Sequence, residues 1–185
     1  MIKCAPPSCR RAMEANTTEN EETSLAEALL SDLRQLSACG IDTTVVTHVA
    51  VDADAILGTA LTAIAVPGVR VEFGSSDDAI GPERTDTMGV DICAGARSIK
   101  GRDSSAAEVI ANAMENLGWV FDEELRQLIH EVTAIDSAKG RKRTFLNFGT
   151  LCRSLRDAGW SDLQIIEHTA ECIEAQLVDP LEVSQ

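Results

Sequence analysis

The sequence predicts an α/β fold, with a small, mostly parallel sheet flanked by helices and a helical C-terminal part. Three observations carry this. A β-branched run over 44–47 gives way within six residues to an alanine-rich apolar stretch over 53–65, a strand-to-helix step. Two further short segments read as strands: 69–73 alternates apolar and polar residues between Gly68 and Gly74, and 88–92 is a short apolar run. Beyond Gly118 the alternation stops, and apolar residues keep helical spacing instead. The chain has 185 residues, 44% of them hydrophobic, which suits one continuous core. Aromatics make up only 3% and tyrosine is absent, so that core must be built from Ala, Val, Leu and Ile.

Residues 1–22 are rich in Pro, Ser, Thr, Asn and Glu and read as a mobile N-terminal arm. Residues 23–185 read as a single α/β domain ending in helices. Thr23 or Ser24 starts a helix whose Leu25, Ala28, Leu29, Leu33 and Leu36 share a face, and Gly40 ends it. Strand one covers about 42–48 and leads to the helix at 53–65, with Asp52 or Asp54 near its N-terminus. Pro67-Gly68 turns the chain into strand two, 69–73. A polar loop at 74–87 precedes the short third strand, which closes on Asp91. Ser105 and Glu108 are spaced as a capping box heading a helix to Leu117. Three more helices are predicted, from Asp122 to about Ile135, over 147–158 and over 161–177, the last opened by a Ser161–Gln164 box.

The net charge is −14. Such a field repels nucleic acid at long range, and the scarcity of aromatic rings removes stacking platforms, so long nucleic acid is disfavoured as a partner. Seven of the sixteen Lys and Arg nevertheless fall in two stretches: Arg97, Lys100 and Arg102, then Lys139, Arg141, Lys142 and Arg143. The first enters a predicted helix N-terminus, a geometry that can hold phosphate through amides, dipole and side-chain charge. Arg97, Lys100, Arg102 and Ser105 are therefore the candidate phosphate-binding residues. The alternative is a surface loop with its cations in water. Six dispersed cysteines without a C-x-x-C pair suit buried thiols in a reducing, cytoplasmic setting. No apolar stretch is long enough for a membrane span, and no secretion signal follows Arg10 and Arg11.

The residues most suggestive of chemistry are His48, Asp52 and Asp54, spaced H-x-x-x-D-x-D where a strand gives way to a helix. One imidazole and two carboxylates within a turn can hold Mn²⁺ or Mg²⁺. Asp91 ends strand three as His48 ends strand one. The plainer alternative is a structural histidine followed by helix caps.

Thr47-His48-x-x-x-Asp52-Ala53-Asp54-Ala55-Ile56 resembles the first motif of the DHH phosphoesterases, a family of exonucleases, oligonucleotide and cyclic-dinucleotide hydrolases and pyrophosphate-cleaving relatives. Val90-Asp91 is similar to the second motif, the Ser104-to-Glu108 helix start to the helix start after the third, and Asp136 to the fourth. The resemblance covers about 42–136. It implies metal ligands at His48, Asp52, Asp54, Asp91 and Asp136, and catalytic roles for Asp52, Asp54 and Asp91. Arg97 would stabilise the phosphoryl charge. Two departures from the family are read from the sequence: no Asp-His-His triplet lies between Asp91 and Ser104, and a counterpart of the family's C-terminal substrate domain is not expected.

The expectation is a metal-dependent (Mn²⁺ or Mg²⁺) phosphoesterase-like protein acting on a phosphodiester or small phosphate compound with weak activity. The alternatives are a non-catalytic DHH-like phosphate- or nucleotide-binding module and a protein-interaction module. The expected partner is a small phosphorylated ligand or short nucleotide, with no membrane; a homo-oligomer or protein partner stays open.

Overall fold

The computed structural model describes residues 7–49, 51–75, 77, 80–93, 95–101, 104–137, 147–175 and 177. Four strands form one all-parallel sheet: β1 (Thr44–His48), β2 (Arg70–Gly74), β3 (Thr87–Val90) and β4 (Ser98–Ile99), in the order β2-β1-β3-β4. Around it lie α1 (Pro7–Ala38), α2 (Ala53–Ala65), α3 (Ala106–Asn116), α4 (Glu123–Ser137), α5 (Phe148–Asp157) and α6 (Asp162–Glu174). The α/β architecture expected from the sequence is the one observed. Among the described residues no helix is long and apolar enough to cross a membrane. Cys39, Cys93, Cys152 and Cys172 are not joined in disulfides.

Two elements differ from expectation. The first helix begins at Pro7, so residues 7–22, expected to precede it, are helical. Between Ser8 and Ala38 there is neither Gly nor Pro, and a proline suits the first helical position because its missing N–H is not needed there. The helix closes as predicted at Gly40 (φ +76°), with Ile41 N–H bonded to Leu36 O and Gly40 N–H to Ser37 O. The second difference is β4. Its two residues lie in the basic stretch expected to be irregular, too short to show alternation.

β1 is central and almost wholly buried, which is why its sequence is a continuous β-branched run. Val45 points into the main core with Met88 and Val90, beside Leu29, Leu30 and Leu33 of α1, Leu57 and Leu61 of α2, and Ile110 and Met114 of α3. Val46, one residue on, meets Ile80 and Ile92 in a separate small cluster. The other flank of α2 carries Ile56 and Ala60 against Cys152, Ile165 and Ile166 of α5 and α6. A helix apolar on both flanks is a buried one, and α2 is that helix. Gly58 lets it sit close to its neighbours. A Cβ there would come within 2.9 Å of Val90 Cγ1 and 3.4 Å of the Ala107 amide.

Candidate metal centre

Parallel pairing sets the site. Val46 is in register with Gly89, and two residues further on the same register brings His48 level with Asp91. Both lie at the C-terminal edge of the sheet, where ligands of open α/β sheets bind. Asp52 comes to the same edge as the N-cap of α2: its Oδ1 accepts from the amides of Asp54 (3.0 Å) and Ala55 (3.1 Å). His48, Asp52 and Asp91 each offer a ligand atom within 4.8 Å of the other two. Capping takes one carboxylate oxygen of Asp52, so cap and ligand are compatible roles for one side chain.

Asp91 is held in an unusual conformation. Its φ is +51°, in the left-handed region that non-glycine residues rarely enter, although Asp tolerates it better than most. Such a residue persists where its surroundings over-determine it, which is common at functional sites. Here the surroundings are two hydrogen-bond donors, an imidazole and an ammonium. His48 Nε2 donates to Asp91 Oδ2 at 3.1 Å, and Lys100 Nζ pairs with Oδ1. A carboxylate can only accept, so Nε2 carries the proton. That bond, aided by the charges of Asp91 and Asp52, raises the His48 pKa above its ordinary value against partial burial. Burial pushes the Asp91 pKa up, but the bonds from His48 and Lys100 outweigh it and lower it overall. Burial likewise opposes the Lys100 charge, yet Asp91, Asp136 and Asp52 raise its pKa. The imidazole and the Asp91 carboxylate are 13% and 8% exposed, so the corner is shielded without being sealed.

Asp54, two residues past Asp52, is placed quite differently. It is 2% exposed, and its two oxygens accept the amides of Ala106 and Ala107 at 2.9 Å each. It therefore satisfies the first turn of α3 from inside the core. Burial drives its pKa up to about 7, against the pull of those two amides. The expected grouping of Asp54 with His48 and Asp52 as a ligand is corrected: both its oxygens are turned to α3. Asp136, near the end of α4, is within electrostatic reach of Asp52, Asp91 and Lys100, and partial desolvation with those acids raises its pKa. It stands at the rim, outside the group of mutually close ligand atoms.

The basic loop is also corrected. Arg97 is buried, and its guanidinium donates to Thr87 O (2.9 Å) and Thr85 O (2.8 Å), at the start of β3 and away from the cleft. It ties β4 to β3 and, through Asp32 at 3.7 Å, to α1, so its donors are turned to the fold rather than to the cleft, contrary to the roles expected for it. Ser105 is fully buried as the N-cap of α3, accepting from Glu108 N–H (3.1 Å) and bonded to Thr133 Oγ1 (2.7 Å). Arg102 and the second basic stretch, 139–143, lie outside the described residues. Only Lys100 of the four phosphate-binding candidates is described at the cleft.

The loop amides have a partner that sequence reasoning did not find. Glu22 Oε1 of α1 accepts from Lys100 N–H (2.7 Å) and Gly101 N–H (2.9 Å). Gly101 makes that turn feasible: its φ is +72°, and a Cβ would fall 2.3 Å from the Ser105 backbone. The donors predicted to meet a phosphate thus meet two of the chain's own carboxylates, Glu22 and Asp54.

One imidazole and two carboxylates suit Mn²⁺ or Mg²⁺, which take oxygen and imidazole ligands and complete their shells with water. The three residues fit one such ion. No known family model matches the chain, and no curated protein or solved structure matches it either.

Proposed function

We propose that the chain is a DHH-like, divalent-cation-dependent phosphoesterase-type domain, with its centre at His48, Asp52 and Asp91 and a small phosphate compound or phosphodiester as its ligand. The convergence of those three side chains at the C-terminal sheet edge, from two neighbouring strands and a helix start, is the observation that carries the reading. A bound cation there would supply Lewis acidity and an acidified water. The chain's own part is positional. The cap bonds fix Asp52, the left-handed backbone fixes Asp91, and the strand end fixes His48. Lys100, about half exposed beside Asp91, has further N–H donors for a phosphoryl oxygen. Because a metal-bound imidazole must be neutral and His48 holds its proton more tightly than an ordinary histidine, metal uptake strengthens as pH rises.

A non-catalytic module is the second reading, and one observation favours it. The backbone donors best placed for a developing phosphoryl charge are already bonded to Glu22 and Asp54. Calorimetric titration with Mn²⁺, paired with hydrolysis of bis(p-nitrophenyl) phosphate, separates the two. One Mn²⁺ per chain with slow turnover abolished in His48→Ala supports the esterase. Binding with no turnover selects the module, and absence of binding refutes a metal centre altogether.

A further inference from the structure

Two-ion phosphoryl-transfer sites need a carboxylate that shares its oxygens between ions about 3.5–4 Å apart. At this sheet edge Asp91 is the carboxylate placed to do so, and both its oxygens are engaged. Oδ2 faces His48, on the side of Asp52; Oδ1 faces the Lys100 ammonium. We infer that Lys100 is a built-in cation standing where a second metal would bind, so that the cleft takes a single divalent ion on the His48–Asp52 side. The inference rests on the metal centre proposed above and fixes its stoichiometry.

Three features support it. Lys100 comes from the end of β4, the strand beside β3, so its backbone is anchored to the strand that delivers Asp91. Glu22 holds its amide and that of Gly101, which fixes the point from which the side chain extends. Besides Asp91, the ammonium lies in the field of Asp136 and Asp52. A fixed monovalent charge there lowers the demand for a second divalent ion and repels one that approaches. Asp54 offers the second ion no help, because it lies outside the group of mutually close ligand atoms, buried with both oxygens turned to amides of α3.

The test is Mn²⁺ stoichiometry by equilibrium dialysis, read together with the electron paramagnetic resonance spectrum of the loaded protein. Wild type should take one ion per chain and give the spectrum of isolated Mn²⁺. Lys100→Met keeps the aliphatic stem and removes the charge. It should take a second ion and show the exchange-coupled multiline pattern of a close pair. Lys100→Arg should return to one ion. Circular dichroism of each variant checks folding, and Lys100→Gln substitutes if the Met variant fails to fold. One ion in both wild type and Lys100→Met overturns the inference while leaving the metal centre intact, as does a coupled pair already present in wild type. A wild type that binds no ion overturns the metal reading, and this inference with it.

Discussion

Asp52 and Asp54 are two residues apart, chemically identical, and each caps a helix, yet they have opposite physical characters. Asp52 is exposed, caps α2 with one oxygen, and keeps company with His48 and Asp91. Asp54 is buried and gives both oxygens to α3. A carboxylate whose acceptors are all used inside the core contributes to folding; one with an oxygen facing a cleft can also serve chemistry. The contrast divides the corner into a structural half around α3 and, around Asp91, a reactive half, the one proposed to hold the metal.

The largest effect should come from breaking the structural half. Asp54→Ala leaves two buried helix N–H groups without their acceptor, at about 1–3 kcal/mol each before relaxation. A loss of roughly 2–4 kcal/mol in urea unfolding is expected, with Mn²⁺ stoichiometry retained under folding conditions. Wild-type stability would show that Asp54 does not hold α3. Unchanged stability with lost Mn²⁺ would move it to the reactive half.

The pH dependence should separate the two halves next. The folded-state pKa of Asp54 is raised from 3.8 to about 7, so its contribution is greatest below about 3.8 and is lost as pH rises through 7. His48 is raised above 6.5, so its contribution is present below 6.5 and lost as pH rises through its folded value. Asp91 is lowered, so its contribution is present above 3.8 and lost only in more acid solution. Metal-free protein should therefore become less stable from pH 5 to pH 8. Asp54→Asn should flatten the lower part of that fall, and His48→Gln the upper. Urea midpoints at pH 5, 6.5 and 8 in chelator measure this, and a profile rising over that range contradicts both assignments.

Asp91 gives a smaller effect that isolates strain. Ala at φ +51° keeps the backbone cost and loses the side-chain partners, whereas Gly loses the partners and relieves the backbone. Asp91→Gly should be about 1 kcal/mol more stable than Asp91→Ala, and neither should bind Mn²⁺. Equal stability would mean that the backbone relaxes out of the left-handed region once the carboxylate is gone.

These contrasts also mark what was legible in the chain. The strand-to-helix step at His48 and Asp52 is local, because β-branching, a cap and an alanine-rich run follow one another without a break between residues 44 and 65, and α2 forms over the predicted span. Asp91 was legible as a strand end, though its left-handed backbone was not. Arg97 and Asp54 were misread because each is defined by distant partners. Arg97 looked like a loop cation but is drawn inward by carbonyls ten and twelve residues back, and Asp54 is bound across 52 and 53 residues to α3. The Glu22 contact spans 78 residues from a stretch with no apolar pattern, and no local signal announces it. Spacing finds residues that share a turn; it does not show which carboxylate oxygens remain for a ligand.

The smallest expected change in stability is at Asp52, and it is the sharpest test of the division. Asn ranks with Asp as an N-cap, because its side-chain oxygen can accept the same amides. Asp52→Asn should therefore unfold within about 0.5 kcal/mol of wild type, whereas Asp52→Ala should lose about 1 kcal/mol through the missing cap. Metal binding should rank differently. Both substitutions remove the negative charge beside His48, so both should weaken Mn²⁺ binding strongly, the Asn variant included. Stability that separates Asn from Ala, with affinity that does not, would establish that one side chain performs two separable tasks. If Asp52→Asn keeps full Mn²⁺ affinity, the charge of Asp52 is not part of the centre, and its place in the corner is that of a cap alone.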